Sequence, residues 1–110
     1  MGKAEFIADG VLPLAQTALF TAPAGLPYRV TLITLHNTTG VNRVVVFAVA
    51  RQGGAIRTIY RATVNANTDD WMELGERGLV LGQGDILYGN AAAAAAIDYC
   101  VFGEQITEGL

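Results

Sequence analysis

Short runs rich in Val, Ile, Leu, Thr, Tyr and Phe alternate along the chain with clusters of Gly, Pro, Asn and Gln. The punctuation falls at Gly10, at residues 23–25, 37–40, 52–54, 65–67, 75–78, 82–84 and 89–90, and at Gly103. Short apolar runs at even spacing between turn residues predict an all-β sandwich or barrel. No window longer than about ten residues keeps a helical period of apolar positions with caps. The runs place strands near 4–8, 17–22, 28–36, 42–51, 55–64, 69–74, 78–81, 84–89 and 97–106. They predict a single-domain antiparallel β-sandwich of about eight short strands. Residues 1–14 read as an N-terminal arm or edge strand, and residues 15–110 as the sandwich.

Three runs carry more detail. In the third, Tyr28, Val30 and Leu32 share one face while Ile33 and Leu35 share the other, which predicts a bulge near Leu32 and Ile33 or a strand covered on both sides. The fourth is apolar throughout from Val44 to Val49, a pattern of burial on both faces. In a small sandwich, covering the second face calls for a neighbouring subunit. The fifth alternates, with Ile56, Thr58, Tyr60, Ala62 and Val64 on one face and Arg57, Ile59, Arg61 and Thr63 on the other. Gln52-Gly53-Gly54 between the fourth and fifth runs predicts a hairpin turn, because glycine reaches positive φ freely. The run Ala91 to Ala96 is too short for an isolated helix and reads as a small-residue turn at one end of the sandwich.

Composition narrows the class. The chain has 110 residues, 52% of them apolar, but 17 of those are alanine; the rest suffice for one core. There is no serine, so serine-nucleophile chemistry is excluded. The lone Cys100 excludes an intrachain disulfide or a multi-thiolate zinc site. The first residues lack the layout of a secretory signal, and no apolar run approaches the roughly 18–20 residues needed to cross a bilayer. A cytoplasmic origin with no membrane contact is expected.

Charge is divided along the sequence. No acid occurs from Gly10 to Thr68, where Arg29, Arg43, Arg51, Arg57 and Arg61 lie; eight acids and only Arg77 follow from Asp69 onward. Interleaved strands that neutralise one another are the simplest account. The sharper one is complementary surfaces on neighbouring subunits, where the planar guanidinium pairs bidentately with carboxylates. Nucleic acid is disfavoured by the net charge of −3 and by arginines without an aromatic platform.

Candidate chemistry is sparse. Cys100 and His36 are the one conceivable nucleophile and base, but no motif supplies an oxyanion hole or an orienting acid. Cys100 in an apolar strand reads as a small buried hydrophobe. Asn67 through Glu73 offers oxygen ligands without the spacing or glycine of a calcium loop. Gly82-Gln83-Gly84-Asp85 does not complete a dinucleotide fingerprint. Trp71, Phe20, Tyr28 and Phe47 are candidates for a carbohydrate-binding face. No enzyme, metal or cofactor is expected.

The segments Thr17 to Gly25, Arg29 to Leu35, His36 to Gly40, Arg43 to Val49, Gly75 to Gly89 and Ile97 to Glu104 together resemble small jelly-roll virion proteins of tailed bacteriophages, which decorate capsids or build tail, collar and fibre-attachment parts. The resemblance implies a non-catalytic subunit of the virion, made in the host cytoplasm, commonly a homotrimer that clamps the major capsid protein or other virion proteins. A tail, collar or fibre component and a carbohydrate-binding module for host attachment are the alternatives. The interaction surface is expected to draw on Arg29, Arg43, Arg57, Arg61, Phe6, Leu12 and Leu14.

Overall fold

The computed structural model describes residues 5–25, 27–74, 78–93 and 96–106. Nine strands run through them: β1 (Glu5–Val11), β2 (Thr17–Thr21), β3 (Tyr28–Asn37), β4 (Arg43–Ala50), β5 (Ile56–Val64), β6 (Asp69–Glu73), β7 (Leu79–Leu81), β8 (Ile86–Ala91) and β9 (Ile97–Gln105). Each lies within a few residues of a run marked by the apolar pattern, and the described residues contain no helix.

The strands form two sheets. One has the order β1-β9-β3-β6, with the three-residue β7 also paired to β3; the other has the order β2-β8-β4-β5. All pairings are antiparallel. The pairs β1·β9, β2·β8, β3·β6 and β4·β5 are nested one inside the next. A long antiparallel ribbon folded at β4–β5 and rolled so that its nested pairs fall alternately in the two sheets gives this wiring, which is jelly-roll-like. The ribbon turns at residues 51–55, where Gly53 takes φ 73° and the Gly54 N–H donates to the Arg51 carbonyl at 2.7 Å.

The core lies between the inner faces and includes Leu12, Val30, Ile33, Leu35, Val45, Phe47, Val64, Leu81, Leu87, Ile97 and Val101, all fully buried. Each contributes about 1.5–3 kcal/mol through burial. Four bulges tune which residues face it. In β3 the register with β9 shifts between Val30 and Leu32, so Thr31 is the extra residue and Val30 and Ile33, three apart, both point inward. The phase change read from the sequence is therefore a bulge, one residue earlier than expected.

The fourth strand differs from expectation. Val45, Phe47 and Val49 belong to the core, and on the opposite face Ala48 is already 0% exposed in the single chain, flanked in register by Tyr88 and Thr58. Larger neighbours shadow a small side chain, and Val44 and Val46 are only half-buried. The apolar run does not by itself require another subunit. In β5, Phe47 pairs with Tyr60 but Ala48 with Thr58, leaving Ile59 as a bulge. Beyond it the faces exchange: Tyr60, Ala62 and Arg57 lie opposite core-facing residues, while Ile56 and Thr58 turn outward. The expected alternation of β5 holds only from Tyr60 onward.

Residues 92 and 93 form a bend between β8 and β9, with Ala91 and Ala96 buried on either side; residues 94–95 of the alanine run lie outside the described residues. The loops at this end are bound to one another: Leu12 N–H to the Ile97 carbonyl at 2.8 Å, Ala91 N–H to the Pro13 carbonyl at 2.9 Å, and Asn67 N–H to the Thr39 carbonyl at 2.9 Å. Asn37, 3% exposed, donates to the carbonyls of Val41 and Val64 and accepts from the Thr39 N–H. A buried amide with its polar groups satisfied fixes the β3–β4 turn to the end of β5.

Candidate interaction surface

The residues expected at an interface do not converge. Phe6 stands in edge strand β1 opposite Phe102 of β9. Leu12, just past that strand, is 0% exposed in the core and presents nothing to a partner. Leu14, two residues on in the β1–β2 connection, is 59% exposed. Arg29 lies on the outer face of the five-stranded sheet and binds Glu104 at 3.0 Å, both half-buried. Arg43 opens β4, half-buried, with its Nε enclosed and without a hydrogen-bond partner among the described residues. Arg57 and Arg61 share β5, which ends the four-stranded sheet, but the Ile59 bulge sends them to opposite faces.

The divided charge is reconciled in part within the chain. Arg29 pairs with Glu104, Arg51 with Asp85 at 2.8 Å, and His36 Nδ1 with Asp69 at 2.6 Å. Each joins a basic side chain of the first part to an acid of the last part. Among the described residues, the side chains of Arg57 and Arg61 take part in no hydrogen bond or ion pair.

Around Arg57 the flank of the sandwich opens. The first half of β5 is exposed residue after residue, with Ile56 at 45% and Ile59 at 41%. Across from it, Val80 of β7 is 41% exposed. Between the two edges lies a groove of about 400 Å³ lined by Val49, Arg51, Gly54, Ala55, Arg57, Ile59 and Leu79. An apolar floor with guanidinium groups on its walls suits an apolar group accompanied by a carboxylate. Sequence reasoning found Arg57 but missed Arg51, Ile59 and Leu79, because the residues come together through the bulge and through β7.

One end of the groove is held by a rigid knot. The Asp85 carboxylate accepts from Arg51, from the Gln52 N–H at 3.0 Å and from the Gly82 N–H at 2.9 Å. Arg51 also donates to the Val80 carbonyl at 2.6 Å. The knot ties the β4–β5 turn to the β7–β8 turn. Burial acts to raise the Asp85 carboxyl, but these hydrogen bonds and the Arg51 charge outweigh it and hold the group below its ordinary 3.8. The unfolded chain therefore takes up this proton first as pH falls. The stabilisation is complete above about pH 4 and is lost as pH drops through the folded value. Asp85→Asn should destabilise the fold at pH 7, and the gap from the parent should narrow below pH 4 in urea unfolding followed across pH. A gap independent of pH would contradict the charged role.

The outer face of the five-stranded sheet is acidic at one end. His36 stands between Asp69 of β6 and Asp98 of β9 in register, with Thr34 between Trp71 and Cys100 in the next row. His36 turns to Asp69 rather than to Cys100, and the half-buried Cys100 lies on this outer face, not in the core as expected. Among the described residues no three His, Cys, Asp or Glu side chains are grouped to hold a metal ion. The four aromatics considered for a carbohydrate face are dispersed. Phe47 is fully buried, Phe20 and Tyr28 pack edge to face at 5.3 Å, and Trp71 alone is strongly exposed, at 58%. They make no common platform.

No protein-family model matches the chain, and no curated protein is similar to it in sequence. Solved structures do share its fold. A chain of the T13 particle of infectious bursal disease virus superposes with a TM-score of 0.56 at 12% identity, over 94% of this chain and 31% of the viral one. This protein thus spans about a third of that chain's length. A subunit of the disulfide-linked pili that form Bacillus endospore appendages superposes with a TM-score of 0.53 at 12% identity, over 97% of this chain and 88% of that one. These likenesses are of fold.

Proposed function

We propose that the chain is a structural subunit of a virus particle, and within that class a decoration protein of a bacteriophage capsid that clamps neighbouring shell subunits. One observation carries this reading. The jelly roll shared with a virus-particle chain leaves, on one flank, an apolar groove lined by Arg51 and Arg57, and the Arg57 side chain has no partner among the described residues. A small domain that leaves guanidinium groups and isoleucines unpaired on an edge gains stability by covering them with another chain.

The work proposed is mechanical, and no bond-making step is assigned to any side chain. A specific interface buries about 1,200–2,000 Å² in total, and the open flank is one part of such a surface. Many copies on a symmetric shell convert modest single contacts into high occupancy, since each attachment raises the effective concentration for the next. The partners are further copies of the chain, as a homotrimer, and the shell protein; the location is the virion.

The likeness to an appendage subunit, which spans 88% of that chain, supports a second reading as a tail, collar or fibre component. Separating purified particles into heads and tails and measuring the chain by gel densitometry distinguishes the two. Decoration predicts many copies per head in proportion to the shell protein. A few copies that follow the tails would favour the second reading, and absence from both fractions would overturn the virion assignment.

A further inference from the structure

Arg57 and Ile59 line a groove without a described occupant, and elsewhere on the chain stands a side chain of complementary character. Trp71, in the centre of β6, is 58% exposed on the outer face of the five-stranded sheet. Asp69 and Glu73 lie two residues to either side on the same face and are exposed; Asp70 lies next to it, accepting the Trp71 N–H at 2.8 Å. Trp71 therefore projects as an apolar knob ringed by carboxylates. The groove is its inverse: Val49, Ile59 and Leu79 form the apolar surface, and Arg57 supplies positive charge that no described carboxylate pairs, whereas Arg51 is bound to Asp85.

Building on the assembly reading, we infer that Trp71 of one copy docks into the Arg57–Ile59 groove of a second copy of this chain. The volume of about 400 Å³ lies toward the low end of small-molecule pockets and accommodates one large side chain with part of its surroundings. An indole packed against a guanidinium gains a cation–π attraction, strengthened when the pair is desolvated. The acids beside Trp71 would then meet Arg57. Trp and Arg are the residue types that dominate interface energetics.

The contact is made by side chains rather than by an added strand. The bulge at Ile59 and the inward-facing Arg57 are devices that blunt pairing along the β5 edge. Knob and groove occupy different surfaces, one on a sheet face and the other on a flank. Such a contact is heterologous, and it closes into a ring or continues as a filament according to the rotation it imposes.

Trp71 is the one tryptophan in the chain, so its fluorescence reports the contact directly. With rising concentration of the intact protein, emission should move to shorter wavelength and acrylamide quenching should fall, in step with the mass measured by sedimentation. Arg57→Glu should raise the concentration of half-assembly by about tenfold or more, with its circular dichroism spectrum and melting temperature unchanged. Adding Glu73→Arg to that variant should recover part of the loss. A chain that assembles while Trp71 stays quenchable and Arg57→Glu has no effect overturns the docking but leaves the assembly reading standing. A chain that remains single at every concentration overturns the docking too, while the copy number on purified particles still decides the virion assignment.

Discussion

Phe47→Ala should destabilise the fold by about 3–5 kcal/mol, a large part of the roughly 5–15 kcal/mol that a domain of this size possesses. Phe47 is 0% exposed and heads the fully buried side chains by volume. Its ring lies over Gly89 of the neighbouring β8, where an added Cβ would come within 3.0 Å of Cε1, and it faces the Tyr60 ring at 6.3 Å. The side chain therefore fills the centre of the four-stranded sheet's inner surface, beside Leu12 and Leu19, which reach the same glycine. Truncation removes the transfer energy of the ring and leaves a cavity that two paired sheets cannot fully close. Urea unfolding should show a much lower midpoint with little change in slope. A loss under about 1 kcal/mol would mean that the core is far more plastic than its burial implies.

Gly103→Ala is expected to cost about 1–3 kcal/mol, although it adds only one methyl group. Gly103 sits in β9 between Glu5 of β1 and Val30 of β3. A Cβ there would run into the Arg29 carbonyl oxygen and approach Ile7 Cδ1 at 3.1 Å. The obstacle is backbone beside the Thr31 bulge, in the middle of a sheet, and it cannot rotate away as a side chain does. Gly89→Ala is the informative comparison. There the added atom meets side-chain tips, Leu19 Cδ1 at 2.6 Å and Phe47 Cε1 at 3.0 Å, which can give way in part. Gly103→Ala should therefore be the more harmful of the two in thermal unfolding. The opposite order would show that the β9–β3 register is looser than described.

Turn residues and apolar runs carried most of the architecture. Gly53 has the positive φ expected of the β4–β5 turn, and along β9 the buried Ile97, Tyr99 and Val101 alternate with the more exposed Asp98, Cys100 and Phe102. The jelly roll came from a resemblance, since the nesting of β1 with β9 and β2 with β8 depends on long-range pairing that leaves no local signature. Misreadings cluster at bulges and neighbours. A bulge inserts one residue and exchanges the faces beyond it. For that reason Ile56 is exposed, Arg57 lines a groove, and Arg57 and Arg61 do not share a face. Val44 to Ala50 looked like a strand needing a second covering subunit because the pattern cannot show that Ala48 lies in the lee of Tyr88 and Thr58.

The surface was harder to read than the core, for a physical reason. Interface residues have no period, and their meaning depends on which charges the fold has already paired. Arg29 and Arg51 looked equivalent to Arg57 and Arg61 in the sequence, but Glu104 and Asp85 bind the first two. Leu12 and Leu14 looked like one short apolar arm; the fold buries the first and exposes the second. What remains after these assignments is a β5–β7 flank whose groove carries the unpaired Arg57, opposite in character to the acid-flanked Trp71.

The proposed clamping role is tested most directly by heating phage particles that carry or lack this chain and recording the temperature at which they release DNA. Particles without it should release at a lower temperature. Purified parent protein should restore the difference, and the Arg57→Glu, Arg61→Glu double variant should not. Equal release temperatures with and without the chain, at full occupancy, would contradict the account.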